Sequence, residues 1–376
     1  MKKISLIAAS LLLTSNLVAN SFDEAFKAGT VSGDITLYGE KQDNSGGNKD
    51  SGFSMGSIGL SYETGELNGF KAAVGFRGNH DFSEVEEDDY SDGSEKEAIV
   101  HTANISYANE YLGLTLGRQE IDLEWLGDYH EAAVLGVTAI PDTTVVLGYT
   151  KRKGVADADA PLEDFADFDV YDEDTGDLIA KIDYAAVLDA KYEGVKGLVV
   201  NPYYYDADNL ANWYGLKVDY DTDMFGVTVH GASSNEDVSG TKDGDIAHIE
   251  GRLNIAGFGF NLGYVTTDNN GGVGSMAALG DNINPFDALR GGDGEKVYEA
   301  DAQTTYLNVN YEISGVELGA MYGEMEYGSD KDKEFDFTVD YGITDNLSIG
   351  ALYVNLDAED SDNDYDKLTL TVEYSF

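Results

Sequence analysis

The 376-residue sequence has no cysteine, only four prolines and few basic residues. The absence of cysteine excludes disulfide bonds, thiol catalysis and cysteine metal sites. Lys and Arg number 23 against 71 Asp and Glu, a net charge of −48, which argues against nucleic acid as a partner. After the N-terminal segment, no stretch approaches the roughly 20 consecutive apolar residues that a membrane helix needs. If this chain spans a membrane, it must do so with β-strands.

The N-terminus has the features of a secretory signal peptide. Lys2 and Lys3 supply its positive charge, residues 4–13 form its apolar stretch, and residues 17–19 resemble a cleavage site. We therefore predict that residues 1–19 are removed, which takes the net charge from −48 to −50 because two lysines are lost. Ser21 and Glu24 have capping-box spacing, which predicts a short periplasmic helix within residues 20–29.

Aromatic residues and glycine are abundant, with 25 Tyr, 15 Phe and 44 Gly. Charge of this density usually predicts disorder. The aromatic residues and the regular alternation of apolar residues argue against disorder in this chain. From residue 30 to residue 376, segments of roughly 8–11 residues alternate with short turns and long acidic connectors, as in outer-membrane barrels. The sequence therefore predicts an all-β, transmembrane antiparallel β-barrel of about 18 strands, with short periplasmic turns and long extracellular loops. The predicted long loops are 41–52, 81–97, 120–131, 152–181, 206–211, 233–245, 267–303, 326–334 and 357–366.

The last strand is apolar on one face and polar on the other. Leu370, Val372, Tyr374 and Phe376 share the apolar parity, and the chain ends on Phe376. A closing strand that ends in Phe resembles the C-terminal signal by which the barrel-assembly machinery recognises bacterial outer-membrane proteins. We predict that these four residues form that signal.

Alternation alone does not say whether the apolar face points to a core or to lipid. The placement of tyrosines favours lipid, because they recur near strand ends on the apolar parity, where interfacial girdles belong. They are Tyr62, Tyr107, Tyr192, Tyr220, Tyr264, Tyr311, Tyr341 and Tyr374.

Charged residues on the polar parity are predicted to face the lumen. Opposed acids and bases there would create a transverse field that orients dipolar solutes, or they would be ion pairs that brace the wall. The residues leave both interpretations open. The predicted basic residues are Lys71, Arg77, Lys191, Lys217, Arg252 and Lys367, and the acids are Asp189, Asp219, Glu250, Asp340 and Glu373.

Arg118 shares the parity of Leu112, Leu114 and Leu116, which would place it against lipid. We predict a bulge that turns Arg118 into the lumen, and we count it among the pore-lining residues.

The segment around Arg118 resembles the OprD-like porins of Gram-negative bacteria, in particular the major outer-membrane porins of the Campylobacter and Sulfurimonas group. The resemblance rests on residues 21–26, on Gly117-Arg118-Gln119, on residues 284–290 and on Phe376. It implies an 18-stranded barrel, usually trimeric, that passes small hydrophilic solutes through a pore narrowed by folded-in loops. Residues 120–131 and 152–181 are then constriction candidates. The family's arginine ladder is thinner in this sequence, which weakens the case for anion selectivity.

The acidic loops are expected to favour cations and to bind divalent ions shared with lipopolysaccharide. Residues 172–177 resemble a calcium loop only faintly, because their acids are out of register with the EF-hand pattern. We therefore predict no cofactor, with calcium as the one alternative. Catalysis is not expected, because the five histidines lack metal-site spacing and no nucleophile or phosphate-loop motif is present.

These features together predict an outer-membrane porin, a homotrimer with weak cation preference, that passes ions and small hydrophilic solutes. The alternative is a surface adhesin or divalent-cation-binding envelope protein whose barrel is a blocked anchor. A secreted β-sandwich fits less well with the signal peptide, the terminal strand and the strand count taken together.

Overall fold

The computed structural model describes residues 19–91, 96–171, 178–280, 283–287 and 296–376. Several sequence predictions fall wholly or partly outside these residues. They are the signal peptide, the calcium-like segment 172–177, the end of the 284–290 segment, and parts of the predicted loops 81–97, 152–181 and 267–303.

In the part of the chain that the structure describes, one short α-helix precedes twenty strands. Helix α1 spans Phe22–Lys27, and the Ser21 side chain caps it by accepting a hydrogen bond from the Glu24 amide. The strands are β1 Thr30–Asn44, β2 Phe53–Glu63, β3 Phe70–Glu84, β4 Ala98–Ala108, β5 Leu112–Glu120, β6 Tyr129–Val137, β7 Thr143–Val155, β8 Glu163–Tyr171, β9 Leu178–Ile182, β10 Ala185–Val195, β11 Leu198–Ala207, β12 Ala211–Asp221, β13 Phe225–Glu236, β14 Gly244–Ile255, β15 Phe258–Thr267, β16 Ala302–Ile313, β17 Val316–Tyr327, β18 Asp330–Gly342, β19 Leu347–Asp357 and β20 Tyr365–Ser375.

The strands form a closed antiparallel barrel. Each wall strand pairs with the next along the chain, β7 pairs with β10, and β20 pairs with β1. Strands β8 and β9 form a hairpin between β7 and β10, so the wall itself has 18 strands. The predicted strand count is confirmed. Closure leaves no unpaired sheet edge around the wall as a whole, which the interior of a membrane requires.

The connections at one end of the barrel are short turns. Asn68, Ala256 and Ser314 have positive φ and are each followed by a glycine with positive φ. At the other end, two of the predicted long loops are shorter than expected. Residues 326–334 are mostly strand and contain a two-residue turn at 328–329, and only 208–210 separate β11 from β12. Polar side chains extend these strands, and a hydropathy pattern therefore misreads them as loop.

The apolar parity faces outward. In β20, Leu370, Tyr374 and Phe376 are 52%, 44% and 49% exposed, while Thr369 on the opposite face is buried. The backbones of Phe376 and Gly33 exchange two hydrogen bonds, of 2.9 and 3.0 Å, where the chain end joins β1. An outward apolar band is the surface that a membrane barrel presents to lipid.

No helix among the described residues is long and apolar enough to cross a membrane.

Candidate functional site in the barrel lumen

Residues 121–128 leave β5 and cross the barrel interior before β6 begins. The Trp125 indole nitrogen donates to the Tyr203 hydroxyl on β11 at 2.9 Å, and Trp125 is fully buried. The Lys217 ammonium on β12 lies 2.9 Å from both Glu124 carboxylate oxygens. His230 on β13 lies 3.5 Å from Glu124. A segment that starts beside β5 is therefore anchored to strands four to six places away around the wall.

A second part of the chain, residues 273–280 and 283–287, packs against the first segment. The Gly127 amide donates to the Leu279 carbonyl at 2.9 Å. Trp213 on β12 donates to the Ser275 hydroxyl at 2.9 Å. Phe286 is 1% exposed and packs over Gly323 on β17, where an added Cβ would lie 2.4 Å from its ring. The two segments and the wall beside them share one buried apolar cluster.

A third segment, between β7 and β8, also turns inward. The Asn79 side-chain amide on β3 donates to the carbonyls of Asp157 and Ala160 at 2.9 and 2.7 Å. Asp159 lines a cavity together with Tyr38 of β1. Residues 120–131 and 152–181, predicted as constriction candidates, thus both contain segments that contact distant strands.

Most of the predicted lumen cations are paired with acids. Arg77 makes two hydrogen bonds to Asp34, of 2.7 and 2.8 Å, and a third to Ser57. Lys71 lies 2.7 Å from Glu63.

Arg252 has three acidic neighbours. It lies 2.9 Å from Glu250, 3.1 Å from Asp221 and 3.8 Å from Asp219. Glu250 also accepts from the Tyr306 hydroxyl at 2.8 Å. These contacts are those of ion pairs that brace the wall, one of the two interpretations that the sequence left open.

Asp189 is 1% exposed and accepts a hydrogen bond from Asn201 at 2.9 Å. Lys191 is its charged neighbour and also lies near Glu124.

Two polar cavities flank residues 283–287. One, of about 350 Å³, is lined by Lys217, Arg252 and Glu250 beside Asn284 and Pro285. The other, of about 370 Å³, is the more acidic, and we call it the acidic cavity. Its charged lining residues are Asp159, Asp287, Asp340, Lys367 and Glu373.

The predicted bulge at Arg118 is wrong. The β4–β5 register runs without a shift from Ile105–Leu116 to Ala103–Arg118, so Arg118 stays on the face of Leu116, which is 49% exposed. Gly117 has a φ of +121° but does not break the register. Arg118 therefore lies on the outer face, where it pairs with Glu131 at 2.9 Å and stacks over the Phe165 ring at 4.1 Å.

Two carboxyl groups that lie in the connectors between strands have raised pKa values. Burial raises the pKa of Glu124, and Lys217 opposes that shift. Burial, followed by the charges of Asp128 and Asp159, raises the pKa of Asp157 to about 6.

Sequence reasoning missed the residues that anchor the inward segments. They are Glu124 and Trp125, which lie in a connector that has no repeating pattern. A tryptophan in an acidic loop was the available signal, because it is a large apolar side chain that must be buried somewhere. Among the described residues, no group of three or more His, Asp or Glu side chains could hold a metal ion.

The comparisons with known proteins agree with this architecture. Residues 11–241 match the family model described as "Putative outer membrane protein", and the chain belongs to that family. It is therefore a protein of the outer membrane. No curated protein matches the sequence significantly.

Several solved structures share the fold. Acinetobacter baumannii OccAB4 aligns with a TM-score of 0.75 at 14% identity, covering 93% of this chain and 98% of the other. Pseudomonas aeruginosa OccK3 (OpdO) aligns with a TM-score of 0.75 at 14% identity, covering 94% and 97%. Pseudomonas aeruginosa OpdQ aligns with a TM-score of 0.69 at 16% identity, covering 93% and 98%. The TM-scores establish a shared fold, and at sequence identities this low the likeness establishes the fold alone.

Proposed function

We propose that this protein is a porin, a water-filled channel through which ions and small hydrophilic solutes diffuse passively across the outer membrane. The observation that carries the proposal is the acidic cavity, a polar space inside a closed barrel between the wall and two inward segments. A barrel that served only as an anchor would have no need of ionisable side chains in such a space. The shared fold with OccAB4 and OccK3 and the sequence resemblance to OprD-like porins support the proposal.

The charges that we propose line the path are unevenly distributed. Lys71, Arg77 and Arg252 are each paired with a carboxylate, whereas the acidic cavity holds four carboxylates and one lysine. The net charge of the whole chain is −48. Cations are therefore concentrated near the path, and we propose a weak cation preference. The further pore-lining residues of this proposal are Lys191, Lys217, Asp189, Asp219, Glu250, Asp340, Lys367 and Glu373.

Domain limits and partners complete the proposal. Residues 1–19 act as the signal peptide, residues 20–29 lie on the periplasmic side, and residues 30–376 form the barrel. Leu370, Val372, Tyr374 and Phe376 are read by the barrel-assembly machinery, and three chains associate through their apolar outer faces. We also propose that the protein is related to the Campylobacter and Sulfurimonas porins and that it is not an enzyme.

One observation favours a second function. The fully buried Trp125 and the packed residues 273–280 and 283–287 fill part of the interior. If they seal it, the barrel is an anchor for a surface adhesin or for acidic loops that bind divalent cations.

Planar-bilayer conductance of the refolded protein separates the two functions. A porin gives discrete conductance steps, in groups of three if the chain is trimeric, and a cation-selective reversal potential in a salt gradient. Insertion without steps contradicts the porin and supports the blocked anchor. Steps with an anion-selective reversal potential contradict the cation preference alone.

A further inference from the structure

Three basic residues meet on the outer face of β5, β6 and β7, at the end where the inward segments start. Arg118 on β5 and Arg152 on β7 share one carboxylate, that of Glu131 on β6, at 2.9 and 3.4 Å. Lys151 is the third, and we call Arg118, Lys151 and Arg152 the basic sector. Two guanidinium groups thus share one carboxylate, and Lys151 adjoins one of them in the sequence, in a chain whose net charge is −48.

Strand register places the basic sector on the membrane side of the wall. Arg118 lies across from Glu131, and Glu131 lies across from Arg152. Leu116 lies two residues before Arg118 on the same face of the strand and is 49% exposed. The sector therefore continues the outward apolar surface.

Lys151 is displayed by a β-bulge. The β6–β7 register shifts between Glu131 and Ala132, where Glu131 pairs with Arg152 and Ala132 pairs with Thr150. Lys151 is the extra residue and is exposed, while Thr150 beside it is 1% exposed. Lys151 makes no ion pair with any residue that the structure describes.

The height of the sector on the wall is marked by tyrosines. Tyr149, two residues before Lys151, is 43% exposed and stacks on Tyr184 with ring centroids 5.5 Å apart. Tyr204 and Tyr214 pair across β11 and β12 and are 42% and 44% exposed. Exposed tyrosines on a membrane barrel mark the level where acyl chains give way to lipid headgroups. Lys151 and Arg152 lie just beyond that level.

A second group of charged residues, also beside an exposed tyrosine, contains more acids than bases. On β17 and β18, beside the exposed Tyr322, Lys331 lies 2.6 Å from Glu324 and 2.9 Å from Glu326. Lys333 lies 2.9 Å from Asp357. Every lysine there has an acidic partner, and the acids outnumber the lysines.

The basic sector also has acidic neighbours beyond Glu131. Asp167 lies 4.0 Å from Arg152, but Lys181 lies 3.7 Å from the same carboxylate. Lys181 in turn lies 3.9 Å from Asp169. Arg152 and Lys181 therefore have carboxylate partners, and Lys151 is the cation of the sector that has no ion pair among the described residues.

We propose that the basic sector binds the phosphate group of an anionic lipid in the outer leaflet directly, without a bridging divalent cation. Guanidinium and ammonium groups at headgroup level attract phosphate, and each such cation strengthens membrane binding. Glu131 and the Phe165 ring position the arginines, and Lys151 supplies an exposed ammonium that forms no ion pair with the described residues. The inference rests on the outer-membrane location and does not depend on whether the barrel conducts.

Native mass spectrometry of the refolded barrel with EDTA present tests the proposal. The probes are lipid A that carries its phosphates and the same lipid A after dephosphorylation. The variants are Lys151→Gln, the double variant Lys151→Gln with Arg152→Gln, and the control Lys331→Gln in the acid-rich sector. We expect Lys151→Gln to weaken binding of phosphorylated lipid A about fivefold and the double variant about 25-fold, with Lys331→Gln unchanged.

Equal affinity of wild type and Lys151→Gln would overturn the site, as would equal binding of the two lipids by the wild type. Displacement by an equal concentration of inorganic phosphate would overturn the lipid assignment and leave a free anion as the ligand. Lys151 is exposed and unpaired, so its replacement should leave the barrel folded, as heat-modifiable gel mobility will show. The conductance of Lys151→Gln should equal that of the wild type, because the lipid site lies outside the proposed channel. The lipid-binding result is then independent of whether the barrel conducts.

Discussion

Two halves of the barrel interior differ in how they are filled. On the side of β11 to β13, residues 121–128, 273–280 and 283–287 pack against the wall in a buried apolar cluster, which we call the packed half. On the side of β18 to β20 and β1, the acidic cavity of about 370 Å³ remains, which we call the open half. Buried tryptophan excludes water from the packed half, whereas carboxylates need water or partners to stay charged. In the proposed channel, we therefore expect solutes to pass through the open half.

The largest expected effect comes from breaking the ion pair that anchors the packed half. Lys217→Met removes the ammonium that lies 2.9 Å from the Glu124 carboxylate, whose side chain is 8% exposed, and should weaken docking of residues 121–128 by about 3 kcal/mol. The estimate is at the low end for a buried pair because the Lys217 side chain is 25% exposed. Hydrogen exchange at the Gly127 amide, which donates to Leu279, measures the loss.

Glu124→Gln is the matched control for Lys217→Met, because it leaves a neutral amide rather than a buried charge. It should cost about 1 kcal/mol. Burial already raises the pKa of Glu124, and removal of Lys217 raises it further. The docked state of Lys217→Met therefore binds a proton more tightly than the undocked state, and acidification should restore protection. Equal exchange rates in the two variants would contradict this anchor.

An intermediate effect is expected in the open half. Replacing both Asp340 and Glu373 by their amides removes two of the carboxylates that line the acidic cavity. The permeability ratio of K⁺ over Cl⁻ should fall about twofold for each, because charges about 4 Å apart in water interact by only about 1 kcal/mol and salt screens them. Reversal potentials in a KCl gradient give the ratio.

Glu326→Gln is the control for the open half, since Glu326 lies on the outer face against Lys331. It should leave the ratio unchanged. If the two cavity carboxylates can be neutralised without any change in the ratio, solutes do not pass through the open half.

The smallest effect concerns Asp157, in the segment that turns inward between β7 and β8. Its pKa is raised to about 6. Between pH 8 and pH 5 Asp157 therefore gains a proton, and the cation preference should fall slightly with a midpoint near pH 6. Because the folded pKa exceeds the ordinary value of 3.8, the segment becomes more stable as pH falls through 6, and the gain is complete below about pH 4.

The pH profile of the reversal potential in wild type and in Asp157→Asn measures this step. The variant should lack the midpoint near pH 6 and match the wild type at pH 5. A midpoint that persists in Asp157→Asn would assign the step to another group.

The sequence by itself determined the wall. A period of two in the apolar pattern places alternate side chains on opposite faces, and turn residues such as Asn68 and Ser314 mark where strands reverse. These are local rules that act within a few residues, so a single chain reveals them. They sufficed for the fold class, the strand count and the apolar terminal strand that pairs with β1.

Only the tertiary structure decided what fills the barrel. The contacts of Glu124 with Lys217, 93 positions apart, and of Trp125 with Tyr203, 78 positions apart, join a connector to distant strands, and no local pattern encodes them. Arg118 shows the same limit. Its parity placed it outward, and the predicted bulge was wrong because Glu131 and Phe165 accommodate a guanidinium on the outer face. Ion pairs and ring contacts between distant segments can override the local preference of a side chain. Their partners meet only when the barrel closes, so a local sequence pattern does not reveal them.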